Sequence, residues 1–233
     1  MSHREATAET RGYEYQMDCS PDYSFITVQV PDGKSINVES SAMATMSTNM
    51  AMSTSIKGGL GRAMTGESLF INKFTAENGP GEIGIAPPSP GESMHRYLED
   101  ETIYLQNSAF VASSPGVETE AKWQGMTRGF FSGESLFLIR CSGTGDLWFN
   151  SYGAILEIDV AGQYIVDTGF IVAFTDGLNY GVEPLGGYKS FFFSGEGLVC
   201  RFRGEGTVWI QTRQVPAFGG WLTPFRRTES SSD

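Results

Sequence analysis

Three glutamates recur at one place in a repeated motif. Glu67 lies in Thr65-Gly66-Glu67-Ser68-Leu69-Phe70, Glu134 in Ser132-Gly133-Glu134-Ser135-Leu136-Phe137 and Glu196 in Ser194-Gly195-Glu196-Gly197-Leu198-Val199. Carboxylates gathered by a repeated fold could hold a divalent cation or a basic partner. The competing role is structural: a glutamate beside a turn glycine accepts hydrogen bonds from turn amides and fixes a strand start. Recurrence in every copy favours the second role, because a single site needs only one copy. Gly66, Glu67, Gly133, Glu134, Gly195 and Glu196 are therefore expected to set architecture.

Other residues that could do chemistry are sparse. The chain has two histidines, His3 and His95. Metal-dependent cupin-like β proteins need several His and carboxylate ligands at one point, and these two cannot supply them. His95 could act with a Ser or Cys nucleophile, but no nucleophile elbow is visible. Gly79-Pro80-Gly81-Glu82-Ile83-Gly84 has dinucleotide-motif spacing, yet strand-like residues and Pro87-Pro88 follow where a helix must open. Met43, Met46, Met50 and Met52 read as packing on a strand, since thioethers fill irregular gaps. The expectation is a non-enzymatic chain with no cofactor and no metal.

The elements that would position these residues are short strands separated by turn residues. Tyr23–Val30 and Ser35–Val38 flank Pro31-Asp32-Gly33-Lys34 and predict a lead-in hairpin. Ala154–Val160 and Gln163–Val166 flank Ala161-Gly162 in the same way. Helical periodicity is nearly absent, with one weak candidate over Ile56–Thr65. Each Gly-Glu motif is followed by a strand, a glycine turn and a second strand. Those turns are Gly79-Pro80-Gly81, Gly143-Thr144-Gly145 and Gly204-Glu205-Gly206. A further anchor precedes each motif, at Ser41-Ala42-Met43, Ser108-Ala109-Phe110 and Thr168-Gly169-Phe170. Three anchors in one order predict an all-β chain of three tandem units. The boundaries expected are a flexible 1–14, a single domain over 15–215 and a tail over 216–233. Within the domain, 15–60 is the lead-in hairpin, followed by units at 61–127, 128–189 and a truncated 190–215. The lead-in hairpin is expected to complete the third unit and close the array.

Composition bounds the partners. The 233 residues carry a formal charge of −11, and the 16 Lys and Arg are scattered, which argues against nucleic acid and anionic membranes. No apolar stretch approaches the roughly 20 residues of a membrane helix, and the polar start lacks a signal-peptide core. Cys19, Cys141 and Cys200 form no CxxC pair, and Cys141 and Cys200 lie in apolar strands, so a cytoplasmic location is expected. Phe218, Trp221, Leu222 and Phe225 follow the last unit. Four large apolar side chains in a tail need a cover, either within the chain or at a subunit interface.

From Tyr13 to Arg213 the ordered set resembles the altered-inheritance-of-mitochondria family of mitochondrial-biogenesis proteins and its bacterial and archaeal homologues. The match is carried by Ser41-Ala42-Met43, Gly66-Glu67-Ser68-Leu69-Phe70, Leu105-Gln106, Ala109-Phe110, Ser151-Tyr152-Gly153 and Val166-Asp167-Thr168-Gly169. Gly187, Gly195-Glu196-Gly197-Leu198 and Trp209-Ile210-Gln211-Thr212-Arg213 complete it. The resemblance implies three subdomains in a pseudo-threefold double-stranded β ribbon sandwich, similar to the tryptophan RNA-binding attenuation protein and assembled as a trimer. It implies no catalytic residues. The reading is a homotrimeric scaffold or protein-interaction module with an unknown protein partner. The alternative is a small-ligand or RNA-binding protein of attenuation-protein type, for which a cation stripe with aromatics would have to recur in each unit. Lys73, Arg140, Arg201 and Arg203 are the cations available on the aligned strands, and they are not expected to share one register.

Overall fold

The computed structural model describes residues 12–57, 69–123, 137–185 and 198–226. They form fifteen strands and one short α-helix. The strands are β1 (Tyr15–Asp18), β2 (Phe25–Val30), β3 (Ser35–Glu39), β4 (Met43–Met46), β5 (Met50–Lys57), β6 (Leu69–Ala76), β7 (Gly81–Ile85), β8 (Ser93–Gln106), β9 (Phe110–Ser113), β10 (Val117–Trp123), β11 (Phe137–Asn150), β12 (Ile155–Asp167), β13 (Ile171–Thr175), β14 (Leu178–Pro184) and β15 (Leu198–Gln211). The helix is α1 (Val215–Leu222). A four-stranded sheet has the order β1-β2-β7-β4. An eleven-stranded sheet follows β12-β15-β13-β8-β11-β9-β3-β6-β5, with β10 on β11 and β14 on β15. The fold is all-β with antiparallel strand pairing.

One pairing scheme occurs three times. In the second group of strands, β11 pairs with β8, β10 and β9. In the third, β15 pairs with β12, β14 and β13. In the first group each long strand is broken in two: β2 and β3 stand for β8, and β7 and β6 stand for β11. β5 then replaces β10, and β4 replaces β9. The first glycine of each glycine pair keeps one backbone conformation, with φ of +127° at Gly79, +119° at Gly143 and +121° at Gly204. Only glycine adopts that region without strain.

The turn predictions fail in an instructive way. β2 and β3 do not pair as a hairpin; they enter different sheets, and Pro31–Lys34 is a corner where the ribbon bends. β12 runs unbroken through Ala161-Gly162. β11 and β15 likewise run through their glycines instead of reversing at them, and β11 shifts register there. The first two residues of the weak helix candidate, Ile56 and Lys57, end β5. The closure of the array by the lead-in strands is also overturned. β2 pairs with β1 and β7, while the third group holds its own four strands. Each repeating group therefore starts upstream of its Gly-Glu motif. One anchor slips by a residue: Ile171, not Phe170, lies opposite Ile210 as Phe110 lies opposite Phe149.

Each group has a core, and in the first two the following group adds a tryptophan to it. Ile26, Val28, Ile36, Phe74 and Ile83 of the first group pack with Trp148 of the second. Leu98, Leu105, Phe110, Leu147 and Phe149 of the second pack with Trp209 of the third. The third core, around Phe174, Phe202 and Val208, contains no tryptophan among the described residues. The position matching Trp148 and Trp209 is Gly84, opposite Thr45. A Cβ on Gly84 would lie 2.2 Å from Thr45 Oγ1 and 2.7 Å from the Phe25 ring, so this group closes around a glycine.

The turn after the first long strand shows a second departure from the repeat. Gln106 and Asp167 accept hydrogen bonds from Ser108 N and Gly169 N, each at 2.8 Å, capping short 3-10 turns. Glu39 holds the matching place. Its Oε2 is buried with no hydrogen-bond partner among the described residues, and burial pushes its carboxyl up to about 7. Between the ordinary carboxylate value of 4.5 and 7, the folded chain keeps a proton that the unfolded chain has lost. Stability therefore falls as pH rises through that window. Glu39→Gln reproduces Gln106 and is expected to raise Tm by about 2–4 °C at pH 8 and by little at pH 4.5. Thermal unfolding at the two pH values checks this.

Candidate assembly surface

The helix α1 grows from the end of β15. Pro216 falls in its first turn, where a missing N–H costs nothing. Thr223 Oγ1 donates to Gly219 O at its end, and Pro224 stops it. Its residues are almost all apolar, yet none is buried: Val215 is 63% exposed, Phe218 45%, Trp221 63% and Leu222 38%, with Phe225 just beyond at 72%. The rings form a row. Tyr152 to Phe218 is 6.0 Å between centroids, Phe218 to Trp221 5.9 Å and Trp221 to Phe225 5.5 Å. The tail residues singled out in the sequence are thus brought together and lie open to solvent. A helix apolar on every side and buried on none among the described residues needs a cover.

The helix begins beside an open strand edge. Gln214 Nε2 donates to Asp167 Oδ1 at 2.9 Å, tying the tail to the end of β12. β12 pairs with β15 on one side, and its other edge is unpaired among the described residues. Leu156 is 50% exposed, Tyr164 44% and Ile165 40%. At the far end of the other sheet, β4 is an edge strand with Met46 43% exposed. Bare edges with apolar side chains are templates for strand addition.

A polar cluster lies where the first and second groups meet. Asp146 is 2% exposed. Its Oδ2 accepts from Tyr13 N at 3.0 Å, and its Oδ1 lies 2.9 Å from His95 Nε2. The His95 ring packs between Tyr15 at 4.4 Å and Trp148 at 5.0 Å. Burial, and then the Asp146 charge, push the hydroxyls of Tyr13 and Tyr15 above their ordinary value. Both Asp146 oxygens are engaged, so the cluster ties the N-terminal segment down. Beside it an open cleft of about 430 Å³ is lined by Tyr13, Lys34, Tyr97, Ser114, Thr144 and Asp146.

The remaining sequence candidates separate clearly. Gly66, Glu67, Gly133, Glu134, Gly195 and Glu196 lie outside the described residues. Gly81–Ile85 is a strand, so no helix follows Gly79. Met50 is buried, while Met46 and Met52 are exposed. Cys141 and Cys200 are buried core residues, and Cys19 is exposed. Among the described residues no three His, Cys, Asp or Glu side chains form a metal-binding group. Sequence reasoning missed the His95–Asp146 pair because 51 residues separate its members. The usable signal was the position after the glycine pair, where Asp146 stands in place of Thr207.

The family described as mitochondrial biogenesis AIM24 matches residues 15–213. The chain belongs to this family. An uncharacterised protein of Streptococcus pyogenes serotype M6 is 26% identical over 243 residues, spanning 99% of this chain and 98% of that one. A crystal structure of another Streptococcus pyogenes protein is similar with a TM-score of 0.79 and 25% identity, covering 92% of this chain and all of that one. The family match takes in the strand groups and ends at Arg213, so the exposed tail helix lies beyond it. No described helix is long and apolar enough to cross a membrane.

Proposed function

We propose that this chain is a non-enzymatic homo-oligomeric scaffold, most simply a trimer, that acts as a protein-interaction module in the cytoplasm. The observation that carries this reading is α1, an apolar helix with no buried residue. Covering its aromatic row removes several hundred Å² of apolar surface from water, at about 25 cal/mol per Å². The repeated strand groups support a pseudo-threefold arrangement of three subdomains, in the form that the family resemblance implies. Buried thiols support a reducing compartment, with the Cys200 thiol pushed up to about 12 by burial. Light scattering at micromolar concentration is expected to return about three times the 25.4 kDa chain mass. Trp221→Ser combined with Phe225→Ser is expected to shift that mass toward the monomer, and a wild-type monomer throughout the range overturns the reading.

A small-ligand function is the second reading, supported by the cleft beside Lys34, whose volume lies in the usual ligand range. For the RNA variant, Lys73, Arg140 and Arg201 do share one ladder position, opposite Asn37, Tyr104 and Ile165, while Arg203 falls elsewhere. Arg201 is paired with Glu183 at 2.7 Å and Arg140 lies 4.0 Å from Glu120, which leaves little unpaired charge for phosphates.

A further inference from the structure

Two joints between strand groups are made inside the chain, and they share one register. Where the second group meets the first, Ala112 of β9 lies opposite Val38 of β3, and Ser113 opposite Asn37. Where the third meets the second, Ala173 of β13 lies opposite Leu105 of β8, and Phe174 opposite Tyr104. These positions correspond. On their other side Ala112 faces Trp148 and Ala173 faces Trp209. Asn37 faces Lys73 and Tyr104 faces Arg140.

The halves of a third such joint exist and are not joined to each other. The first group's counterpart of β9 and β13 is β4, where Thr45 faces Gly84. The third group's counterpart of β3 and β8 is the second half of β12, where Ile165 faces Arg201. Both strands are edges of their sheets among the described residues. We propose that β4 of one copy adds antiparallel to the β12 edge of the next, with Thr45 opposite Val166 and Met46 opposite Ile165. This rests on the homo-oligomer reading and adds to it a strand joint distinct from the cover of α1.

The side chains at the joint agree with that register. The internal joints set like against like at the matching place, Ser113 with Asn37 and Phe174 with Tyr104, whose rings stack at 5.2 Å. The joint between copies sets Met46 against Ile165, two apolar residues exposed by 43% and 40%. Cross-strand pairs of this kind stabilise a sheet when both members are covered. Among the described residues the third core has no tryptophan, and Ile158 and Ile210 remain only partly buried beside it. In place of an indole the incoming copy brings Gly84 and the Phe25 ring, so this joint is the weakest of the three and opens while the internal joints hold. Because β4 and β12 are different surfaces, the contact is head-to-tail and ends only by closing a ring.

The test uses the full chain with Cys19→Ser, carrying Met46→Cys and Ile165→Cys together or singly. Oxidation of the double variant is expected to give a covalent ladder of chains ending at the mass seen by light scattering, while neither single variant gives one. Ile165→Lys is expected to weaken association by about tenfold or more with unchanged circular dichroism. An oligomer that cross-links no more in the double variant than in the singles overturns the joint and leaves the scaffold reading standing. A disulfide formed within one monomer means the two edges meet in the same chain and overturns it too. A monomer in every variant removes both.

Discussion

Trp209→Ala is expected to destabilise the chain by about 3–5 kcal/mol, the cost of emptying a fully buried aromatic site. The indole is 1% exposed and belongs to the core of the second group, although it is carried by a strand of the third. Its loss therefore opens a core and loosens the joint between groups. Trp148→Ala is expected to act similarly at the first joint, where Trp148 is 0% exposed. The phenylalanine variants should differ. Trp209 Nε1 donates to Glu157 Oε2 at 2.7 Å, and the Arg96 guanidinium lies 5.4 Å over the ring. Trp148 Nε1 has no hydrogen-bond partner among the described residues. Trp209→Phe should accordingly cost about 1 kcal/mol more than Trp148→Phe. Urea unfolding of the four variants measures both comparisons.

Asp146→Ala is expected to cost about 2–4 kcal/mol, because a buried carboxylate that holds two donors leaves both without an acceptor. Tyr13 N loses its partner and the His95 ring loses its anchor, so the segment from Gly12 through β1 should loosen from the second group. Asp146→Asn keeps an acceptor for Tyr13 N and should cost roughly half as much. Two further readouts separate this from general destabilisation. The Tyr13 amide should exchange with solvent faster in Asp146→Ala while core amides remain protected. The tyrosine absorbance titration should move to lower pH, since burial and then the Asp146 charge hold Tyr13 and Tyr15 high. Unchanged exchange at Tyr13 would show that the segment is held by its strand pairing alone.

The contrast between these sites shows what a single chain can reveal. The β class was legible because strands alternate and glycines punctuate them, and both are local properties. The turn signals recur because each group carries a glycine in the same positive-φ conformation, at Gly79, Gly143 and Gly204. The tail was legible because Phe218, Trp221, Leu222 and Phe225 stand outside any repeat. The hairpins were misread for a related reason. Pro31-Asp32-Gly33-Lys34 is written with the residues of a reversal, but whether a turn reverses a strand or bends it depends on the partner. Here β6 and β7 bend alongside, and Gly33 N reaches Ala76 O across the corner at 2.9 Å.

Unaided, the chain's residues determine an all-β fold, a threefold recurrence of turn and strand signals, and an apolar tail in want of a cover. Those features follow from backbone permissiveness and side-chain hydrophobicity, which act within a few residues. Only the tertiary structure decides that a repeating group begins upstream of its Gly-Glu motif and that Trp148 and Trp209 each complete the core of the preceding group. Only there does Asp146 meet His95, and only there do β4 and β12 lie at sheet edges among the described residues. Such facts depend on contacts between distant residues, whose pairing is set by the packing of whole strands.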